Sequence, residues 1–164
     1  MYESLLWNAV RLVRFRGSDG PPSLTDALAL LAFTCGAAPG SERLDAAVRA
    51  GLAEERNAAS PSAPTAVADA TTWVLPAAAC AVVSTRAAAD PAAAMDDGLR
   101  DIAGALLVIR APAGSTPSTE PPGEGLLLGH ALAAGWLATQ LWSAGVVGVP
   151  ETFDRTLAAV VGTP

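Results

Sequence analysis

Gly125-Leu-Leu-Leu-Gly-His-Ala-Leu-Ala-Ala-Gly-Trp-Leu-Ala-Thr-Gln-Leu-Trp-Ser-Ala-Gly-Val-Val-Gly-Val-Pro150 runs for 26 residues without a charged side chain. A mainly apolar stretch of about 18 residues is enough to cross a hydrocarbon layer of roughly 30 Å, so length alone admits a membrane span. This one carries His130, Thr139, Gln140 and Ser143 and is flanked by Glu124 and Glu151, with no basic residue adjoining either end. The positive-inside pattern of a membrane helix is therefore missing. The stretch also divides in two. Residues 124–144 are helix-like and end at Gly145; Val146-Val147-Gly148-Val149 is strand-like and is stopped by Pro150. A buried helix leading into a short strand is the expectation, and a membrane span is disfavoured.

Within that helix, small residues recur every four positions, at Gly125, Gly129 and Ala133 and again at Ala131, Gly135, Thr139 and Ser143. Each series forms a row along one face, where another helix can approach closely. Beyond Pro150, Glu151-Thr152-Phe153-Asp154-Arg155 opens a last helix, with Thr152 as cap, reaching Val161 and closed by Gly162.

Upstream, Leu5, Leu6, Ala9, Val10 and Val13 have the spacing of an amphipathic helix over 2–15, with Arg11 and Arg14 on its more polar side. The Gly17-Ser18-Asp19-Gly20-Pro21-Pro22 turn ends it. Ser23 or Thr25 caps a second helix over 24–35, closed by Gly36 and Pro39. A third begins at Ser41, with Leu44, Val48 and Leu52 as its apolar stripe. Residues 57–65 read as a loop. The β-branched residues between Thr71 and Thr85 then predict at least one strand, centred on 80–84, with Pro76 interrupting anything longer. Asp90 caps a helix with Pro91 at its first position, running to about Asp101. Ala105-Leu106-Leu107-Val108-Ile109 is a short apolar run of buried-strand type, and 111–123 reads as a Pro- and Ser-rich loop.

With 164 residues the chain suits one domain, 1–164, burying about 70% of its unfolded surface. Hydrophobic residues make up 51% but aromatics only 5%, so the core must be assembled by close packing of small side chains. A net charge of −6 leaves no basic surface large enough to neutralise a run of phosphates, and nucleic acid is not an expected partner. Cys35 and Cys80 stand alone in apolar surroundings, without metal-ligand spacing; buried free thiols are the simpler reading, a disulfide the other. Residues 1–8 lack a basic segment ahead of an apolar run, so no secretory signal is expected and the cytoplasm is the default.

Chemistry-bearing clusters are sparse. His130 is the single histidine, so no Ser-His-Asp or Cys-His arrangement has a spare base; a lone His on such a helix is usually a hydrogen-bonded core or interface group. Gly17–Gly20 lacks the length and the Lys-Ser/Thr pair of a phosphate loop. Asp96-Asp97 reads as a solvated helix face.

The order of parts resembles the FMN-dependent nitroreductases. Val10-Arg11-Leu12-Val13-Arg14-Phe15-Arg16 stands where that family has an Arg-Arg-Ser-x-Arg-like motif on its first helix, and Ser60-Pro61-Ser62-Ala63-Pro64-Thr65 looks like its Pro-Ser loop. The run 105–109, the helix 125–145, the strand-like 146–149 and the closing Val161-Gly162-Thr163-Pro164 follow the order of its C-terminal third. The resemblance implies an α+β fold with helices packed around a small central β-sheet, in a homodimer or a heterodimer with a related subunit. It implies FMN at the subunit seam, reduced by hydride transfer from NAD(P)H and passing electrons to an organic acceptor. Arg11 would hold the flavin phosphate, Arg14 the ribityl chain or ring, and Ser62 a further flavin contact. Val10 and Leu12 replace the motif's first Arg and its Ser. A noncatalytic accessory or dimerising subunit is therefore the alternative, followed by an unrelated Ala-rich helical domain.

Overall fold

The computed structural model of the chain describes residues 1–16, 22–58, 73–85, 90–107 and 121–155. Seven helices account for most of them: α1 (Tyr2–Arg16), α2 (Leu24–Thr34), α3 (Glu42–Ala58), α4 (Val74–Thr85), α5 (Pro91–Ala94), α6 (Arg100–Leu107) and α7 (Pro121–Ser143). Among the described residues there is no strand and no sheet. The expected α+β architecture is thus overturned, and each expected strand has a physical correction.

Residues 80–84 lie in α4, whose positions from Val74 to Val82 are all buried. A helix covered on every side loses the 3.6-residue alternation that identifies a helix, and its run of Ala, Cys and Val is then indistinguishable from a buried strand. Pro76 does not interrupt it. It sits in the first turn, where the backbone N–H groups have no intrahelical acceptor and a missing one costs nothing. Residues 105–107 belong to α6, while 108 and 109 fall outside the described residues. Residues 146–149 follow α7 without helical or strand structure.

The helix ends follow local chemistry. Ser23 and Asp26 form a reciprocal capping box at α2, with Asp26 N–H donating to Ser23 Oγ (3.2 Å) and Ser23 N–H to Asp26 Oδ2 (3.1 Å). Asp90 Oδ1 accepts from Ala92 N–H at 3.0 Å to start α5, with Pro91 behind it. Between α5 and α6 the chain kinks over Met95–Leu99, where Gly98 takes φ +92°. α7 starts at Pro121, so 121–123 are helical rather than loop. It ends on Gly145 at φ +86°, with Val146 N–H donating to Leu141 O and Gly145 N–H to Trp142 O, both at 3.0 Å. That is the Schellman geometry, which favours glycine at the left-handed position.

α7 is the central element, packing most extensively on α1 and α4. Its two rows of small residues meet two different helices. A Cβ added at Gly125 would lie 2.7 Å from Val10 Cα, and one at Gly129 2.8 Å from Leu6 Cα, so α1 runs antiparallel to α7 in near-backbone contact. Along the other row, a Cβ at Gly135 would lie 2.6 Å from Ala78 N and 2.7 Å from Val74 O of α4. Thr139 reinforces that seam: its buried hydroxyl is 3.1 Å from Gly135 O and 3.2 Å from Ala78 O.

One apolar cluster joins α1, α2, α3, α4 and α7 around Leu5, Leu28, Leu31 and Leu132. A second joins α4, α5, α6 and α7 around Leu75, Val82, Leu99 and Phe153. Each fully buried Leu contributes about 1.5–3 kcal/mol relative to exposure. The turn carrying Phe153 is tied to α6: its N–H donates to Asp101 Oδ1 (3.2 Å), and the Arg100 guanidinium lies 4.4 Å from its ring centroid.

Candidate functional site

α1 is helical because Leu5, Ala9 and Val13 form a row at i, i+4 and i+8 that is buried against α7 and its neighbours. Glu3 in the first turn and the arginines towards the end suit the helix dipole. At about 100° per residue, Glu3, Ser4, Trp7, Arg11, Arg14 and Phe15 share an arc of ~120° on the opposite side. All six are exposed. Trp7 is 60% and Phe15 91% accessible, large areas for aromatic rings. Arg11 and Arg14 make no ion pair or hydrogen bond among the described residues. In a chain of net charge −6, two uncommitted guanidinium groups beside two open aromatic rings form a patch unlike the average surface.

Both arginines are therefore on one face, as the sequence places them, but that face looks outward. Ser62 lies outside the described residues, so nothing here brings it to them. What the sequence reading missed is Trp7 and Phe15. The signal was present, since both stand four residues from Arg11 and off the Leu5-Ala9-Val13 row.

On the opposite side of α1, towards α7, the Tyr2 hydroxyl and His130 Nδ1 are hydrogen-bonded at 2.9 Å, with the rings edge to face at 6.3 Å and 84°. His130 Nε2 is shielded and has no hydrogen-bond partner among the described residues. If Nδ1 accepts from Tyr2, Nε2 carries an unpaired N–H; if Nδ1 donates, Nε2 is an unpaired acceptor. Neither tautomer satisfies both nitrogens.

Other candidates carry less chemistry. Cys35 and Cys80 are free thiols. Burial pushes the Cys35 thiol up to about 11, against the opposing pull of Arg43, and the Cys80 thiol up to about 12, against the hydrogen bond from Ser84. Thiols held that far from ionisation are poor nucleophiles and poor metal ligands. Asp96 and Asp97 are exposed on the kinked turn. Among the described residues no three His, Cys, Asp or Glu side chains gather to hold a metal ion. Nor is any described helix long and apolar enough to cross a membrane.

Compared with known proteins, the chain matches no protein-family model, no curated protein and no solved structure. Fold and surface together define an all-α domain, among the described residues, with an exposed aromatic and arginine face.

Proposed function

We propose that this chain is a noncatalytic assembly subunit, a helical domain that works by binding another protein chain through the outer face of α1. The observation that carries this is the exposure of Trp7, Arg11, Arg14 and Phe15 on one side of one helix. Trp and Arg are the residues that most often dominate binding energy at interfaces, because each combines a large contact area with directional polar contacts. A solvated helix face explains the arginines but gives no reason for leaving an indole and a phenyl ring in water. A helix of about four turns anchored by its opposite face also presents these groups with little ordering cost on binding.

The test is size-exclusion chromatography of the chain alone and co-expressed with the protein encoded beside it. The expected result is an assembly larger than the monomer, lost when Trp7→Ser and Phe15→Ser are combined, with helical content and melting temperature unchanged. An assembly indifferent to that pair of substitutions, or none in either setting at loading concentrations up to about 1 mM, overturns the reading.

A second reading is favoured by the two ion-pair-free arginines, since they are the groups that the nitroreductase resemblance assigns to FMN. It predicts a yellow protein, bleached by NAD(P)H, whose flavin is lost on Arg11→Ala. A colourless chain that fails to take up added FMN removes it.

A further inference from the structure

The charge and aromatic order along the outer face of α1 is self-complementary. Positions 3 and 15, 4 and 14, and 7 and 11 are equidistant from residue 9, so a two-fold axis perpendicular to the helix at that level brings Glu3 level with Phe15, Ser4 with Arg14 and Trp7 with Arg11 of a second copy, and Arg14 of that copy within one residue, ~1.5 Å, of the level of Glu3. We propose that α1 pairs antiparallel with α1 of a second copy of this chain, each Trp7 indole lying against Arg11 of the other copy and each Glu3 beside Arg14 of the other copy. The inference rests on the α1 binding role proposed above and names its partner.

Three arguments favour a second copy over an unrelated chain. The sole acidic residue of the face, Glu3, is at one end and the cations Arg11 and Arg14 are at the other, so only an antiparallel helix with the same polarity matches both ends. Trp7 and Arg11 are one helical turn apart, ~6 Å along the axis, so the two-fold produces two identical cation–π contacts about its centre. Antiparallel packing also opposes the two helix dipoles. An isologous two-fold contact is the commonest way in which a chain pairs with itself. Six residues a side fall well short of the roughly 20–30 of a standard interface, so the pair is weak and concentration-dependent.

The experiment uses sedimentation equilibrium of the full chain over a concentration series up to about 1 mM. Wild type is expected to dimerise. Glu3→Arg and Arg14→Glu, each alone, place like charges together twice per dimer and should weaken association about tenfold. Mixing those two single variants restores both ion pairs, because Arg at position 3 then meets Glu at position 14 and the native Glu3 meets the native Arg14. A heterodimer of near wild-type affinity is therefore expected, as is recovery in the double variant carrying both changes. Both positions in the swap, 3 and 14, are exposed, and unchanged melting temperatures establish that the variants fold.

A wild-type dimer insensitive to the swaps overturns the α1–α1 pairing, as does a chain that remains monomeric throughout. If that monomer binds the protein encoded beside it through Trp7 and Phe15, self-pairing fails while the assembly role stands. A monomer that binds nothing through this face removes both.

Discussion

His130 is a half-buried helix residue with one ring nitrogen paired to Tyr2 and the other shielded and without a partner among the described residues. An unsatisfied polar atom in a shielded position costs about 1–3 kcal/mol. Tyr2 is 43% accessible and can turn its hydroxyl to water, so the hydrogen bond it loses on substitution is cheaply replaced. His130→Leu is accordingly expected to leave stability unchanged or raise it by about 1 kcal/mol in a urea melt. A loss above about 2 kcal/mol would show that Nε2 has a partner outside the chain, and the residue would then belong to an interface. Arg11 and Arg14 contrast with it. Neither supports the fold, so their substitution should act on association and not on folding.

At the scale of elements, α4 and α7 illustrate where the fold was legible and where it was not. The helices α1, α2 and α3 are readable because each has one wet face and recognisable ends: the Leu5-Ala9-Val13 row, the Ser23 and Asp26 capping box, and the Leu44-Val48-Leu52 stripe. α4 was misread because it has no wet face to supply a period, and Pro76 in its first turn resembled a strand breaker. Beta-branched residues do prefer strands, but by a margin that packing on five neighbouring helices easily exceeds. The small-residue rows of α7 were legible in sequence, yet their targets were not. The α4 seam gives a sharp prediction. At Gly135 a methyl group would sit 2.6 Å from the Ala78 backbone nitrogen, which cannot give way without moving α4. Gly135→Ala should cost roughly 1–3 kcal/mol in overpacking, outweighing the gain of up to about 1 kcal/mol in helix propensity. Thermal unfolding should show the melting temperature falling by about 2–4 °C for each kcal/mol lost.

For the whole molecule, the absence of Lys makes alkaline stability unusually simple. The groups whose folding-linked shift bears on stability above neutrality are the two buried thiols, Cys35 and Cys80. Folding raises Cys80 from 9.0 to about 12 and Cys35 from 9.0 to about 11. Between pH 9 and those values the unfolded chain loses thiol protons that the folded chain keeps, so stability is fully present below pH 9 and falls as pH rises. The slope for a single thiol approaches about 1.4 kcal/mol per pH unit. Urea melts at pH 8 and above pH 10 should show this fall, and Cys80→Ala should reduce it; a flat profile would contradict the burial of both thiols.

The candidate site was half legible for a related reason. Arg11 and Arg14 announce themselves by charge, whereas Trp7 and Phe15 count as core residues in any composition and are revealed as surface only once Leu5, Ala9 and Val13 are seen facing α7. By itself the sequence determined where most helices begin and end and how acidic the chain is, because caps, glycine turns and charge act over a few residues. Only the tertiary structure decided that the apolar runs at 80–84 and 105–107 are helical, that 146–149 pairs with no strand among the described residues, and which face of α1 remains open. Those outcomes depend on which surfaces are covered by segments distant in the chain, and local sequence carries no record of that.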